Sequence, residues 1–163
     1  MIPQRAHNFG TYFATTQTWG RRSTFQVDEL ARLLIETLLH YRGKKKYLLH
    51  EFVIMPNHLH LLLTPLNITL ERTIQLIKGG YSYRVGQTRR KLEVWQPGFT
   101  DHRIRDYTDY EHHVEYLQFN PVRAGLCSSP EHFVYSSASG LYSLDEVPQR
   151  LKPVQLVAEV RHG

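Results

Sequence analysis

A single cysteine, Cys127, occurs among the 163 residues. That excludes an internal disulfide framework and a thiolate zinc cluster, and it fits a reducing compartment. No stretch approaches the roughly 18 apolar residues of a membrane span. Met1 to Tyr12 lacks a basic segment followed by an apolar one, so no secretory signal is expected and a cytoplasmic protein is the default. Internal repeats and low-complexity stretches are also missing. Acidic residues are the scarcer charge: 15 Asp and Glu stand against 20 Lys and Arg, a net charge of +5. That sign favours a polyanionic partner such as nucleic acid. Hydrophobic residues at 41% and charged residues at 21% exclude a disordered or collagen-like chain. The length suits one domain that folds without a metal or disulfide staple. Ten histidines and ten tyrosines are what the chain has in abundance. They are the residue types suited to metal binding and to phenolate nucleophiles.

Phe9 to Thr18 is aromatic and β-branched and reads as a strand. Val27 to Tyr41 has apolar residues at 27, 30, 31, 34, 38 and 41, which is helical spacing, with Asp28 and Glu29 in its first turn. Tyr47–Met55 and His58–Thr64 read as two strands joined at the turn dipeptide Pro56-Asn57. Thr69 is placed to cap a helix with apolar residues at 70, 74, 77, 81 and 85. Gly79-Gly80 inside it implies either a close neighbour or a bend. Trp95 to Ile104 suits one more strand or an extended loop. Thr108 with Glu111 is a capping-box pattern, which predicts a helix over Asp109–Phe119 closed by Asn120-Pro121. The order β-α-β-β-α-β plus a further helix matches the α+β, ferredoxin-like split βαβ layout, an antiparallel sheet with helices on one face. The domain is expected over residues 1–142, with an irregular tail over 143–163.

His58-Leu59-His60 is the sharpest local feature. Strand alternation puts both histidines on one face with Leu62 and Thr64, and Leu59, Leu61 and Leu63 on the other. The leucine face belongs under the helices. Two imidazoles about 7 Å apart along one strand face can converge on one ion. The alternative is a pair of ordinary polar residues on a solvated sheet face. A tight turn at Pro56-Asn57 pairs residue 53 with 60 and 51 with 62, which puts Glu51 on the histidine face. There it is either an outer partner orienting a ligand or a solvated charge.

On the last helix His112, Tyr116 and Asn120 recur along one face, with Val114, Leu117 and Tyr110 on the buried side. The segments HEFVIMPNHLHLLLTP (50–65), VWQPGFTDHRIRD (94–106) and HHVEYLQFNPVRAGL (112–126) together resemble the REP-associated tyrosine transposases of the single-tyrosine HUH endonuclease superfamily. The likeness spans roughly residues 7–142. It implies a ferredoxin-like fold, a divalent metal, Mg²⁺ or Mn²⁺, held by His58, His60 and Asn120, and Tyr116 as nucleophile. The implied reaction cleaves and rejoins single-stranded DNA through a 5′-phosphotyrosine link, beside a hairpin such as a repetitive extragenic palindrome. Relatives include monomers and homodimers. The chain departs from the family in having Gln118 where a histidine is common, and Met55 where some relatives carry an acidic ligand.

Basic residues available for phosphates include Lys78, Arg84, Arg103, Arg105 and Arg123. Tyr81, Tyr83, Trp95 and Phe99 are candidates to stack on unpaired bases, with Trp95 equally suited to the core. His112 or His113 is placed to accept the phenolic proton. Leu62 stands where a histidine-triad hydrolase needs a third histidine, which disfavours that class. A non-catalytic DNA-binding domain of the same fold is the remaining alternative.

Overall fold

Two-residue turns and alternating strands organise the centre of the fold. In the computed structural model, which describes residues 10–89 and 92–153, β2 (Tyr47–Met55) and β3 (His58–Pro65) form a hairpin. Its turn is Pro56-Asn57, so Met55 pairs with His58, Val53 with His60 and Glu51 with Leu62, the register that turn predicts. A bulge between Leu49 and Glu51 then shifts the ladder. It turns His50 toward Thr64, whose hydroxyl lies 2.8 Å from Nε2. The first strand, β1 (Tyr12–Gln17), pairs antiparallel with β3, and β4 (Thr100–Arg103) pairs antiparallel with β1. The order β2-β3-β1-β4 is the ferredoxin-like arrangement expected from the element order.

Helices α1 (Asp28–Gly43) and α2 (Leu70–Thr88) cover the leucine face. Leu59, Leu61 and Leu63 meet Leu34, Leu38, Ile74 and Ile77 in one buried cluster. Thr69 caps α2 as its position predicts, its side chain accepting from Arg72 N at 3.0 Å. Of the glycine pair, Gly80 is the close approach: a Cβ there would lie 2.4 Å from the Tyr41 hydroxyl. Gly79 faces open space.

Helix α3 (Tyr107–Arg123) lies on the opposite, histidine face. Leu117 packs with Val53 and Met55, and Tyr110 with Leu62 and Ile104. Its ends differ from the sequence expectation. The cap is Asp106, whose carboxylate accepts from Asp109 N at 2.8 Å, so the Thr108–Glu111 pattern begins two residues past the cap. Pro121 does not stop it. Proline removes one N–H from the ladder, but here only two residues from the end, and the helix runs on to Arg123. Asp145 ties the following chain to the sheet, its carboxylate accepting from Arg42 Nε at 2.9 Å and Leu49 N at 2.9 Å. Residues 1–9 and 154–163, the ends of the expected domain and tail, lie outside the described residues.

Candidate active site

The histidine face is roofed by α3 rather than open to water. His60 is 6% exposed, and burial, with His58 and Arg123 nearby, pushes its imidazole down to about 3. Burial, then Arg21, also lowers His58. Both rings are therefore neutral at physiological pH, the form that ligates metal.

Hydrogen bonds fix the tautomers. His58 Nδ1 lies 2.7 Å from Asn57 Oδ1, a carbonyl oxygen, so Nδ1 carries the proton. His60 Nε2 faces the Asn120 amide nitrogen at 3.2 Å and accepts from it. Its Nδ1–H therefore donates to Thr15 Oγ1 at 2.7 Å. Each ring thus turns Nδ1 to an outer partner and Nε2 toward the site, where His60 Nε2 meets the Asn120 amide, with ring centres 4.7 Å apart. That is the usual dress of metal-binding histidines. A half-turn of the Asn120 carboxamide presents its oxygen in place of the nitrogen. Two imidazole nitrogens and an amide oxygen form a donor set that fits a divalent cation, neutral and open to further oxygen ligands.

Tyr116 stands at the same place. Its ring centre is 5.8 Å from that of His60 and 5.9 Å from that of Phe13, both edge-on, and the residue is 48% exposed. The Arg123 guanidinium lies 4.7 Å from the tyrosine ring centre and donates to the Tyr116 carbonyl. His58, His60, Tyr116 and Asn120, drawn from a hairpin and a helix over fifty residues apart, are thus brought together. Asn57 and Thr15, which orient the imidazoles, were not foreseen. Asn57 adjoins His58 in the chain, but Thr15 reaches His60 only through the β1–β3 register.

Other expected residues have different neighbours. Glu51 orients neither histidine: its carboxylate accepts from Gln118 Nε2 at 2.7 Å and Ser137 Oγ at 3.2 Å, anchoring α3 to β2. Burial raises its pKa, only partly offset by those two hydrogen bonds. His113 does not face the phenol as a base; its Nδ1 donates to Asp109 O at 2.8 Å. With His102 and Asp109 it forms a second group whose ligand atoms lie within 4.8 Å of one another. That group's atoms are engaged with each other, His102 Nε2 lying 2.8 Å from Asp109 Oδ2.

Among the expected phosphate contacts, Arg123 lies at the tyrosine, and Arg103 and Arg105 line a cleft of about 450 Å³ with Arg150 at the sheet edge. Arg84 sits on α2, in the layer behind the sheet. Lys78 is spent internally: its ammonium donates to Gln96 O at 2.9 Å and Gly98 O at 2.8 Å. Trp95 takes the core alternative, 9% exposed, its indole N–H donating to Lys78 O at 3.1 Å. Among the described residues no helix is long and apolar enough to cross a membrane.

The chain is 27% identical over 143 residues to the REP-associated tyrosine transposase of Escherichia coli, covering 83% of this chain and 84% of that one. A Haemophilus influenzae protein of the same family name is 28% identical over 143 residues, covering 78% and 79%. The solved structure of a REP-associated tyrosine transposase bound to a REP hairpin superposes with a TM-score of 0.69 at 25% identity, covering 90% of each chain. The family profile described as transposase, IS200-like, matches residues 11–118, from β1 through the nucleophile candidate to Gln118. With an antiparallel four-stranded sheet, a histidine pair and a helical tyrosine in that span, the chain belongs to the IS200-like transposase family.

Proposed function

We propose that the protein is a metal-dependent single-stranded DNA endonuclease and strand transferase that works through a 5′-phosphotyrosine intermediate at hairpin-forming repeats. The observation that carries this reading is the convergence of Tyr116 and Asn120 on His60, whose ring is neutral, tautomerically fixed and has Nε2 turned to the site. His58, His60 and Asn120 would hold the cation, Mg²⁺ or Mn²⁺. When bound, such an ion polarises the scissile phosphate and offsets charge on the pentacovalent transition state.

The residues of the chain supply the rest. Tyr116 gives up its phenolic proton, and its oxygen forms a bond to phosphorus. The bond from phosphorus to the 3′-oxygen breaks, and that oxygen leaves as a hydroxyl once protonated. Attack by another 3′-hydroxyl on the phosphotyrosine reverses these steps and joins strands without ATP, because the phosphodiester energy is kept. Arg123, against the tyrosine ring, is placed to meet a phosphate there. The 5.8 Å between the Tyr116 and His60 ring centres within one chain supports a site completed within a monomer.

Incubation with labelled, hairpin-bearing single-stranded DNA and Mn²⁺ tests the reading. The wild-type protein should leave a denaturant-resistant covalent adduct, and Tyr116→Phe should leave none while binding the DNA nearly as well. Binding without an adduct in the wild type would make this a non-catalytic DNA-binding domain. An adduct in Tyr116→Phe would move the nucleophile elsewhere.

A further inference from the structure

Next to the histidine pair lies a second concavity, of about 320 Å³, between β1 and the loop leading into β4. Thr15, Gln17, Gln96, Pro97, Gly98 and Phe99 line it. Strand alternation puts Thr15 and Gln17 on the same face as Phe13, which stacks on His60. Their cross-strand partners on β3 are His60 and His58. The Thr15 hydroxyl bonded to His60 Nδ1 is therefore shared by the two sites, and the cavity begins one strand over from the imidazoles.

Its walls are held before any ligand arrives. Gln96 N donates to Gln17 O at 2.9 Å, pinning the loop to the end of β1. The Lys78 ammonium gathers the carbonyls of Gln96 and Gly98, and Lys78 in turn is held at its own carbonyl by Trp95. Gly98 has φ +81°, a backbone state that favours glycine, and it turns the chain between Pro97 and Phe99. A lysine consumed on two carbonyls marks a loop built to keep its shape. The side chains of Gln17 and Gln96 remain exposed.

The lining carries no ionisable side chain. The neighbouring Lys78 ammonium is already directed at the carbonyls of Gln96 and Gly98, and no carboxylate stands there for a cation. Two carboxamides, the hydroxyls of Thr15 and Thr100 and an aromatic ring instead suit an uncharged planar heterocycle with a hydrogen-bonding edge. We infer that this cavity receives the unpaired nucleobase immediately flanking the phosphate held at His58 and His60, stacked against Phe99, with Gln17 and Gln96 reading its edge. A carboxamide offers a donor and an acceptor side by side, the pattern adenine matches, so adenine is the base expected. The inference rests on the proposed DNA-cleaving function and adds a protein-read position to it.

Two measurements keep the pocket and the nuclease reading separable. In the first, a hairpin-bearing single-stranded oligonucleotide is randomised on both sides of the cleavage site, and the cleaved products are sequenced. The wild type should prefer adenine at one flanking position. The Gln17→Ala, Gln96→Ala double variant should lose about tenfold of that preference, with selectivity elsewhere unchanged. An unchanged preference in the variant, or wild-type indifference at both flanking positions, overturns the inference. The second measurement needs no cleavage. Tyr116→Phe protein is mixed with the oligonucleotide most enriched by binding, 2-aminopurine being scanned through its single-stranded part. One position should change fluorescence on binding, and adding the two glutamine substitutions should abolish that change. No responding position, or a response the substitutions leave intact, counts against the pocket. Should the response appear in a wild type that leaves no adduct, the nuclease reading falls and the pocket stands.

Discussion

At the scale of single residues, the outer partners of the histidines matter as much as the histidines. Thr15 Oγ1 lies 2.7 Å from His60 Nδ1 and so orients the ring with Nε2 toward Asn120. Thr15→Val keeps the shape and removes the acceptor. It should weaken Mn²⁺ binding about tenfold or more, as loss of an outer hydrogen bond to a ligating imidazole commonly does. Titration calorimetry checks this, and unchanged affinity would mean that His60 does not ligate through Nε2. The histidine pair stood out as an alternating strand after a Pro-Asn turn, whereas Tyr116 and Asn120 share one stripe of a helix but were singled out by the family resemblance. Thr15 was not, since its role comes from a pairing between strands 45 residues apart. Trp95 and Lys78 likewise depend on contacts distant in the chain. Residue type leaves both open to nucleic acid, yet the Trp95 N–H is used on Lys78 O and two of the three Lys78 N–H groups on Gln96 O and Gly98 O.

At the scale of elements, the two glycines of α2 should behave differently. Gly79→Ala meets open space and should stabilise by about 0.5–1 kcal/mol through helix propensity. Gly80→Ala puts a methyl against the outer end of the Tyr41 side chain, which must swing aside, so the gain should be smaller than at Gly79 or reversed in sign. Urea denaturation of both variants separates them, and equal effects would mean that α1 and α2 are not in contact there. Sequence spacing found both helices and the hairpin register but could not choose between Gly79 and Gly80, because the neighbour is another helix. It also misplaced both ends of α3. Asp106 and Thr108 are equally good caps by type, and the Arg105 N–H and His102 ring bound to Asp109 decide where the first turn forms. Gln118→Leu tests the other end of that helix. It leaves the partly buried Glu51 carboxylate without its amide partner, and it should cost about 1–3 kcal/mol and slow adduct formation through loss of helix placement. A variant as stable as wild type would show the Gln118–Glu51 contact to be incidental.

For the whole molecule, pH reports how much titratable chemistry the fold buries. His50, His58 and His60 are all lowered from the ordinary imidazole range, in each case chiefly by burial. The unfolded chain therefore takes up protons first as pH falls below about 6.5. Stability should be full above that value and decline as pH falls toward the lower folded values. Asp145, held down by the Arg42 guanidinium, adds to the loss only on the more acidic side. Asp109 does likewise: burial alone would raise it, but hydrogen bonds from Arg105 N and His102 outweigh that. Unfolding free energy measured between pH 8 and pH 4 should thus bend downward below neutrality, and His50→Asn should lessen the bend. A level profile between pH 7 and pH 5 would contradict the burial of these rings. The placement of Tyr116 and Asn120 one turn apart on α3 has a last consequence. If the proposed mechanism holds, a swing of that rod would withdraw the Tyr116 oxygen and the Asn120 amide in a single movement. Cation affinity then becomes a gauge of whether the enzyme is armed, readable without any DNA being cut.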